Sequence, residues 1–366
     1  MPSAPDAPVS AVMLDEGKSL LADALAAGQL DVAYVFALAE VYDRYFRQRL
    51  DEWAEGRADR TGGFALAAVG GYGRRELCPA SDIDVLLLFP SEPPDWASEL
   101  ARFLFFPLWD RGVELGHGVR AVPGCLELAG CDPKVLASLV DLRFLAGDAA
   151  VVDDLAAGLE ADCFPTHGAG FVAWLAKGNE VRGRTYGDAG GMLEPELKNG
   201  LGGLRDWHQV RWLMRLDPGR VADARILAED LAALEDDARF VLTARMHLHR
   251  LCGRKNDKLY FEFQERVAEA MGFGRRGDRK AVERFLSLLL RRMADIKALR
   301  QSVWPLLAGH LGALDLSAPA TPVGDGLQDA PEGLRFAPGL TDFQAMERAM
   351  PLFGVCAALG KAPSHE

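Results

Sequence analysis

The sequence predicts an α+β fold: a small mixed-sheet catalytic domain followed by a helical domain. Three observations predict it. Short apolar runs bounded by glycine or proline, at residues 64–69, 83–89 and 113–122, read as strands and fall within the first 150 residues. Apolar residues at three- and four-residue intervals over 19–53, 229–252 and 280–304 read as helices. The 366-residue length exceeds the roughly 250–300 residues at which a single core usually stops growing.

In chain order, residues 19–53 form a helical pattern that Gly28 interrupts. The run 64–69 enters a tight turn at Gly70-Gly71-Tyr72-Gly73, and Pro90 closes the run 83–89. Residues 96–109 read as helix, and 113–122 as a strand carrying Gly116 and Gly118. Beyond Pro133 nearly everything reads as helix. In the clearest one, Val282, Phe285, Leu289, Met293, Ile296 and Val303 make one apolar stripe. From Pro305 on, Pro, Gly, Ala and Asp accumulate as in a linker, before a short helical pattern at 342–359. The domain reading is therefore 1–60, an N-terminal helical segment; 61–150, the catalytic domain; 151–305, a helical substrate- or nucleotide-binding domain; and 306–366, linker and C-terminal helix.

Composition narrows the function. A net charge of -12 argues against nonspecific nucleic-acid binding, which needs a basic face. No apolar run approaches the roughly 20 residues of a membrane span, and the first residues lack a signal peptide's basic start and apolar core. The expectation is a cytoplasmic protein. Six cysteines without a CxxC pair suit reduced, mostly buried thiols, and neither they nor the seven histidines cluster as a zinc site would.

The informative stretch is Gly70-Gly71-Tyr72-Gly73, followed ten residues later by Ser81-Asp82-Ile83-Asp84 at the head of a strand. Glycines after a buried strand let backbone N–H groups approach phosphate oxygens. Asp82 and Asp84 are two apart, so strand geometry points both carboxylates to one face. Adjacent carboxylates repel, which a cation relieves, and Mg²⁺ favours one or two carboxylates completed by substrate phosphates. Each half alone has an ordinary reading, as a turn and as a solvated loop. The combination, strand, glycine turn, spacer and Ser-Asp-x-Asp strand, points to a metal- and nucleotide-binding site. It is neither a P-loop nor a dinucleotide fingerprint.

These residues resemble the nucleotidyltransferase superfamily pattern, and 70–88 resembles the N-terminal catalytic domain of the bacterial protein-PII uridylyltransferases. Two more stretches are similar to that family's motifs: Lys198-Asn199-Gly200-Leu201-Gly202-Gly203-Leu204-Arg205-Asp206, and Gly253-Arg254-Lys255-Asn256-Asp257-Lys258-Leu259. The segment from Trp109 to His117 resembles the stretch between the first two, so the likeness covers roughly residues 20–305. It departs at Arg75, where the family usually has glycine, and at Asn256, where an acidic residue is common. The family's His-Asp phosphohydrolase dipeptide is missing from the sequence and only residues 306–366 follow the helical domain, so neither nucleotide removal nor small-molecule sensing is expected of this chain.

The resemblance implies metal-dependent nucleotidyl transfer from an NTP, UTP by expectation, to a tyrosine hydroxyl of a PII signalling protein, with release of pyrophosphate. Asp82 and Asp84 would hold Mg²⁺ or Mn²⁺. Gly70, Gly71, Arg74, Ser81, Lys198, Arg205 and Asp206 would contact the nucleotide. A third catalytic carboxylate is expected, with Glu114 the candidate and Asp110 and Asp141 its rivals. Each has a plainer reading: Ser81 as a turn former, Glu114 as the polar side of a strand, Asp206 as a helix cap. Arg254 and Lys258 are balanced between substrate contact and solvated helix end. Two alternatives stay open: adenylyl or other nucleotidyl transfer to a different acceptor, and an inactive regulatory module of the same fold.

Overall fold

The computed structural model describes residues 8–55, 57, 62–216, 228–275, 277–313, 315, 317–324, 326–331, 333–359 and 363. It confirms the α+β class and resolves the chain into two units that interleave in sequence. One comprises Met1–Cys163 with Arg239–Leu289, the other Phe164–Ala238 with Leu290–Glu366. The sequence reading drew sequential boundaries, at 60, 150 and 305. Two long helices, α10 (Ala228–Cys252) and α12 (Arg279–His310), each contribute residues to both units. Helical periodicity alone carries no sign of such a division.

The first unit holds a four-stranded sheet in the order β3 (Leu115–Ala121), β2 (Ile83–Phe89), β1 (Ala65–Ala68), β4 (Arg143–Gly147). β1 runs antiparallel to both its neighbours, while β2 and β3 are parallel, with Ile83 opposite Leu115 and Asp84 opposite Gly116. β4 was not foreseen. Only Leu145 and Ala146 of its five residues are buried, too short a pattern to separate from helix.

Helices α1 (Val9–Ala26) and α2 (Ala33–Ala54) break around Gly28 as expected, although α1 begins ten residues before the apolar pattern does. Its first turn is held by Ser10, whose N–H and hydroxyl both donate to Glu52. α2 packs with α4 (Ala97–Trp109) through Phe46 against Phe105, and the Tyr45 hydroxyl donates to the Leu104 carbonyl at 2.7 Å. α3 (Gly70–Gly73) stands between β1 and β2, and α5 (Val122–Cys131) and α6 (Pro133–Leu139) between β3 and β4; α7 (Ala149–Gly158) follows β4. The later part of this unit adds α11 (Phe261–Ala270) and a cluster of Phe240, Phe273 and Phe285.

In the second unit α8 (Phe164–Tyr186) and α9 (Leu204–Leu216) flank the glycine-rich loop 187–203. After Pro305, α12 continues to His310, and the stretch read as linker carries a three-stranded antiparallel sheet. Its strands, β5 (Thr321–Gly324), β6 (Leu327–Ala330) and β7 (Gly333–Phe336), have four residues each. Leu327 and Leu334 bury against Leu352 and Cys356 of α13 (Asp342–Leu359), the helix the sequence predicted. Strands this short, rich in Pro and Gly, leave no legible alternation. Among the described residues all six cysteines are free and no helix is long and apolar enough to cross a membrane.

Candidate active site

The site is built where β1 ends and β2 begins. Val69 donates its N–H to the Asp84 carbonyl, which fixes the chain just before Gly70 alongside the carboxylate strand. Gly70 has φ 56°, a left-handed backbone that glycine adopts without steric cost, and it starts the single turn α3. The N–H groups of Gly70 and Gly71 lie in that first turn, where no carbonyl of the helix can take them. A Cβ added at Gly70 would stand 3.5 Å from Asp84 Oδ2, so the glycine turn and the carboxylate are immediate neighbours.

On its other side Asp84 leans over β3. A Cβ added at Gly116 would fall 2.3 Å from Asp84 Oδ1, so only glycine at this position admits the carboxylate where it stands. Asp82 lies one residue before β2 and is half exposed. Ser81 supports the approach: its Oγ accepts from the Cys78 N–H at 3.0 Å, a turn-closing role. The Lys255 ammonium sits 3.2 Å from Asp82 Oδ1.

Lys255 was not singled out in the sequence, and the third motif is what brings it here. Asp257 accepts from Arg245 Nε at 2.6 Å and pairs with the His249 ring at 2.9 Å. Arg245 in turn donates to Cys78 Sγ at 3.3 Å, tying α10 and the 253–259 loop to the loop that leads into Asp82. Burial opposes charge on Arg245, but Cys78 and Asp257 outweigh it and hold the guanidinium's pKa above its ordinary value. Arg254 is exposed, and Lys258 lies over the Tyr260 ring. The signal that could have found Lys255 is the motif itself, whose Asp257 anchors while its neighbour reaches the carboxylates.

Arg74 is buried between Glu76 and Asp141. Burial works against its charge, yet these two carboxylates raise its pKa above the usual guanidinium value. That contact occupies Asp141, one rival for the third carboxylate. Glu114 lies just before β3, abreast of Asp82, its carbonyl accepting from the Ile83 N–H, with its side chain exposed. Asp110 is exposed at the end of α4. Among the described residues no three His, Cys, Asp or Glu side chains gather as a metal cluster. The pair of aspartates still fits a hard divalent cation that takes its remaining ligands from phosphate oxygens.

Lys198, Arg205 and Asp206 belong to the second unit. Asp206 is fully buried, accepts from the Gly202 N–H at 2.8 Å and pairs with Arg182 at 2.8 Å and Arg300 at 3.2 Å. The glycines beside it are accounted for by packing: a Cβ on Gly202 would meet the Met293 carbonyl at 2.3 Å, and one on Gly203 the Leu197 carbonyl at 2.8 Å. Arg205 reaches the Trp212 ring, and its N–H donates to the Lys198 carbonyl. This loop's glycines are thus required by the fold whatever Lys198 and Arg205 touch.

Residues 173–304 match the family model described as GlnD PII-uridylyltransferase. Over that stretch the chain is similar to the PII-uridylyltransferases. A bifunctional uridylyltransferase/uridylyl-removing enzyme of Phenylobacterium zucineum is 34% identical over 286 residues, 75% of this chain and 28% of that protein. Its namesake in Thiobacillus denitrificans is 36% identical over 267 residues, 68% of this chain and 31% of that protein. That of Rhodospirillum rubrum is 35% identical over 240 residues, 63% and 25% respectively. The chain spans less than a third of the length of each of these relatives.

Proposed function

We infer that this chain is a nucleotidyltransferase that moves UMP from UTP to a hydroxyl of an acceptor protein. The observation that carries the reading is the Asp84 carboxylate, held between the Gly70 turn and Gly116, with Lys255 against Asp82 two residues earlier in the chain. UTP is the donor because the relatives are named as uridylyltransferases, a PII protein is the acceptor that the family description suggests, and a tyrosine hydroxyl is the group that the motif resemblance implies.

The chain's residues divide the work by position. Gly70 and Gly71 present backbone N–H groups to the β- and γ-phosphates, where a side chain would hold them off. Asp82 and Asp84 would hold Mg²⁺ or Mn²⁺, which supplies charge neutralisation on the triphosphate and acidifies the attacking hydroxyl. Asp84, framed by two glycines, would fix the position of that cation; the acceptor oxygen then bonds to the α-phosphorus in line as the bond to the β-phosphate oxygen breaks, the hydroxyl proton passes to solvent, and pyrophosphate leaves on the glycine-turn side. Lys255 lies within reach of the same charges and, when its contact with Asp82 is exchanged, steadies the departing pyrophosphate.

The test is incubation with UTP, Mg²⁺ and a PII protein, followed by intact-mass measurement. One added UMP per acceptor subunit, lost when the acceptor tyrosine is replaced by phenylalanine, is the expected result. The same assay with ATP, GTP and CTP reads base choice: modification by ATP alone would replace the uridylyl reading with adenylyl transfer, and no modification by any nucleotide would remove it.

A further inference from the structure

A cavity of about 320 Å³ opens over the Asp84 face of the sheet, on the β3 side of the carboxylate. Asp84, Gly116, Gly118, Arg120, Lys134 and Ser138 line it. We propose that this cavity is the acceptor subsite, which takes a hydroxyl-bearing side chain and grips an acidic group next to it through Arg120 and Lys134. The proposal rests on the nucleotidyltransferase reading and deepens it.

Three features lead there. The first is the floor. Gly116 and Gly118 alternate along β3 and lie opposite Asp84 and Leu86, so one face of the strand is bare where the cavity stands. Glycine weakens a strand and marks places where another group approaches its backbone closely. Gly116 is required by Asp84, but a Cβ at Gly118 would meet only the end of Leu86 at 3.1 Å and Arg120 Nε at 3.2 Å, both movable side-chain atoms. Packing alone therefore does not demand the second glycine, and an approaching ligand does.

The second is the chemistry of the walls. Arg120 and Lys134 enter no ion pair among the described residues, in a chain of net charge -12. Two cations converging on one cavity favour a carboxylate, Ser138 offers a hydroxyl, and Leu86 and Leu139 supply apolar surface for a ring or an aliphatic stem.

The third is direction. In-line transfer needs the attacking oxygen and the departing pyrophosphate on opposite sides of the α-phosphorus. The glycine turn flanks Asp84 on the β1 side, and the cavity runs from Val69, at the edge of that turn, past Asp84 to the bare glycines of β3. With the phosphates in the turn, the cavity is where the attacking hydroxyl must enter.

The experiment compares the wild-type chain with Arg120→Gln, Lys134→Gln and the double variant, in steady-state transfer from UTP to a PII protein at two salt concentrations. Each single variant should raise KM for the acceptor at least tenfold, leaving KM for UTP within twofold and the melting temperature unchanged. The double variant should also lose most of the salt dependence of the acceptor KM, which a structural role would not touch. Gly118→Val, filling the floor, should abolish acceptor saturation while UTP with Mg²⁺ still shifts the variant's melting temperature as it does the wild type's. Transfer by the wild type with acceptor KM unchanged in all variants, or with UTP KM raised instead, overturns the subsite alone. Absence of transfer by the wild type overturns the function on which it rests, and the subsite with it.

Discussion

At the scale of single residues, two backbone positions govern the site. Arg75, which stands where the related family usually has glycine, is the one non-glycine with positive φ, 62°, among the described residues. Its guanidinium reaches Asp43 at 3.4 Å, which offsets part of the strain of the left-handed conformation. Replacing it by glycine and by alanine separates the terms, because both remove the ion pair and only alanine keeps the strain. Arg75→Gly should be more stable than Arg75→Ala by about 1 kcal/mol in denaturant unfolding; equal stabilities would contradict the strained reading. Gly116 acts on chemistry instead. Gly116→Ala must push the Asp84 carboxylate aside, and a displacement near 1 Å costs a transfer rate roughly 100-fold. The variant should stay folded by circular dichroism while its kcat falls by that order. That the glycine turn and Asp84 are neighbours was legible in the sequence, because a strand, a glycine turn and a second strand at that spacing bring them together. The value of Gly116 was not, since nothing in a lone strand glycine says which carboxylate leans over it.

At the scale of elements, the loop that joins α8 to α9 shows how a glycine motif can answer to packing as well as to a ligand. Its glycines suggested phosphate approach, but Gly202 and Gly203 meet backbone carbonyls of Met293 and Leu197. Asp206 is the polar centre of this packing, with Arg182 and Arg300 both turned onto it. Asp206→Ala would leave two largely buried guanidiniums without a counter-charge, which costs about 3–5 kcal/mol. A fall of that size in unfolding free energy is expected, with the second unit affected first in hydrogen exchange; a change below about 1 kcal/mol would return Asp206 to a binding role. The helices were legible nearly to the residue at 229–252 and 342–359, and at 280–304 apart from the last six residues, which run from Pro305 to His310, because amphipathic stripes repeat over many turns. β4 and the three strands after residue 320 were not, because two to four residues cannot establish a period.

At the scale of the whole molecule, the interleaved units explain why the third motif matters. Residues 239–289 return to the first unit and bring Asp257 and Lys255 to the loop before β2, a closure that no local pattern announces. The same helix α10 carries His247, only 4% exposed. Burial, reinforced by Arg250 and opposed by Asp31, pulls its pKa down to about 4 from the ordinary 6.5. A depressed folded-state value means the native form resists the proton that the unfolded chain accepts. Its stabilisation is therefore complete above about pH 6.5 and is lost as pH falls toward 4, by up to about 3 kcal/mol. The melting temperature should drop over that window more steeply in the wild type than in His247→Gln, and parallel curves would show that His247 is not the group responsible. The central claim, that Asp82 and Asp84 form the metal-binding heart of a nucleotidyltransferase, is tested most directly by the transfer rate of Asp82→Asn and Asp84→Asn. Both variants should stay folded and lose UMP transfer by about 1,000-fold or more, whereas activity within tenfold of wild type in either would contradict the account.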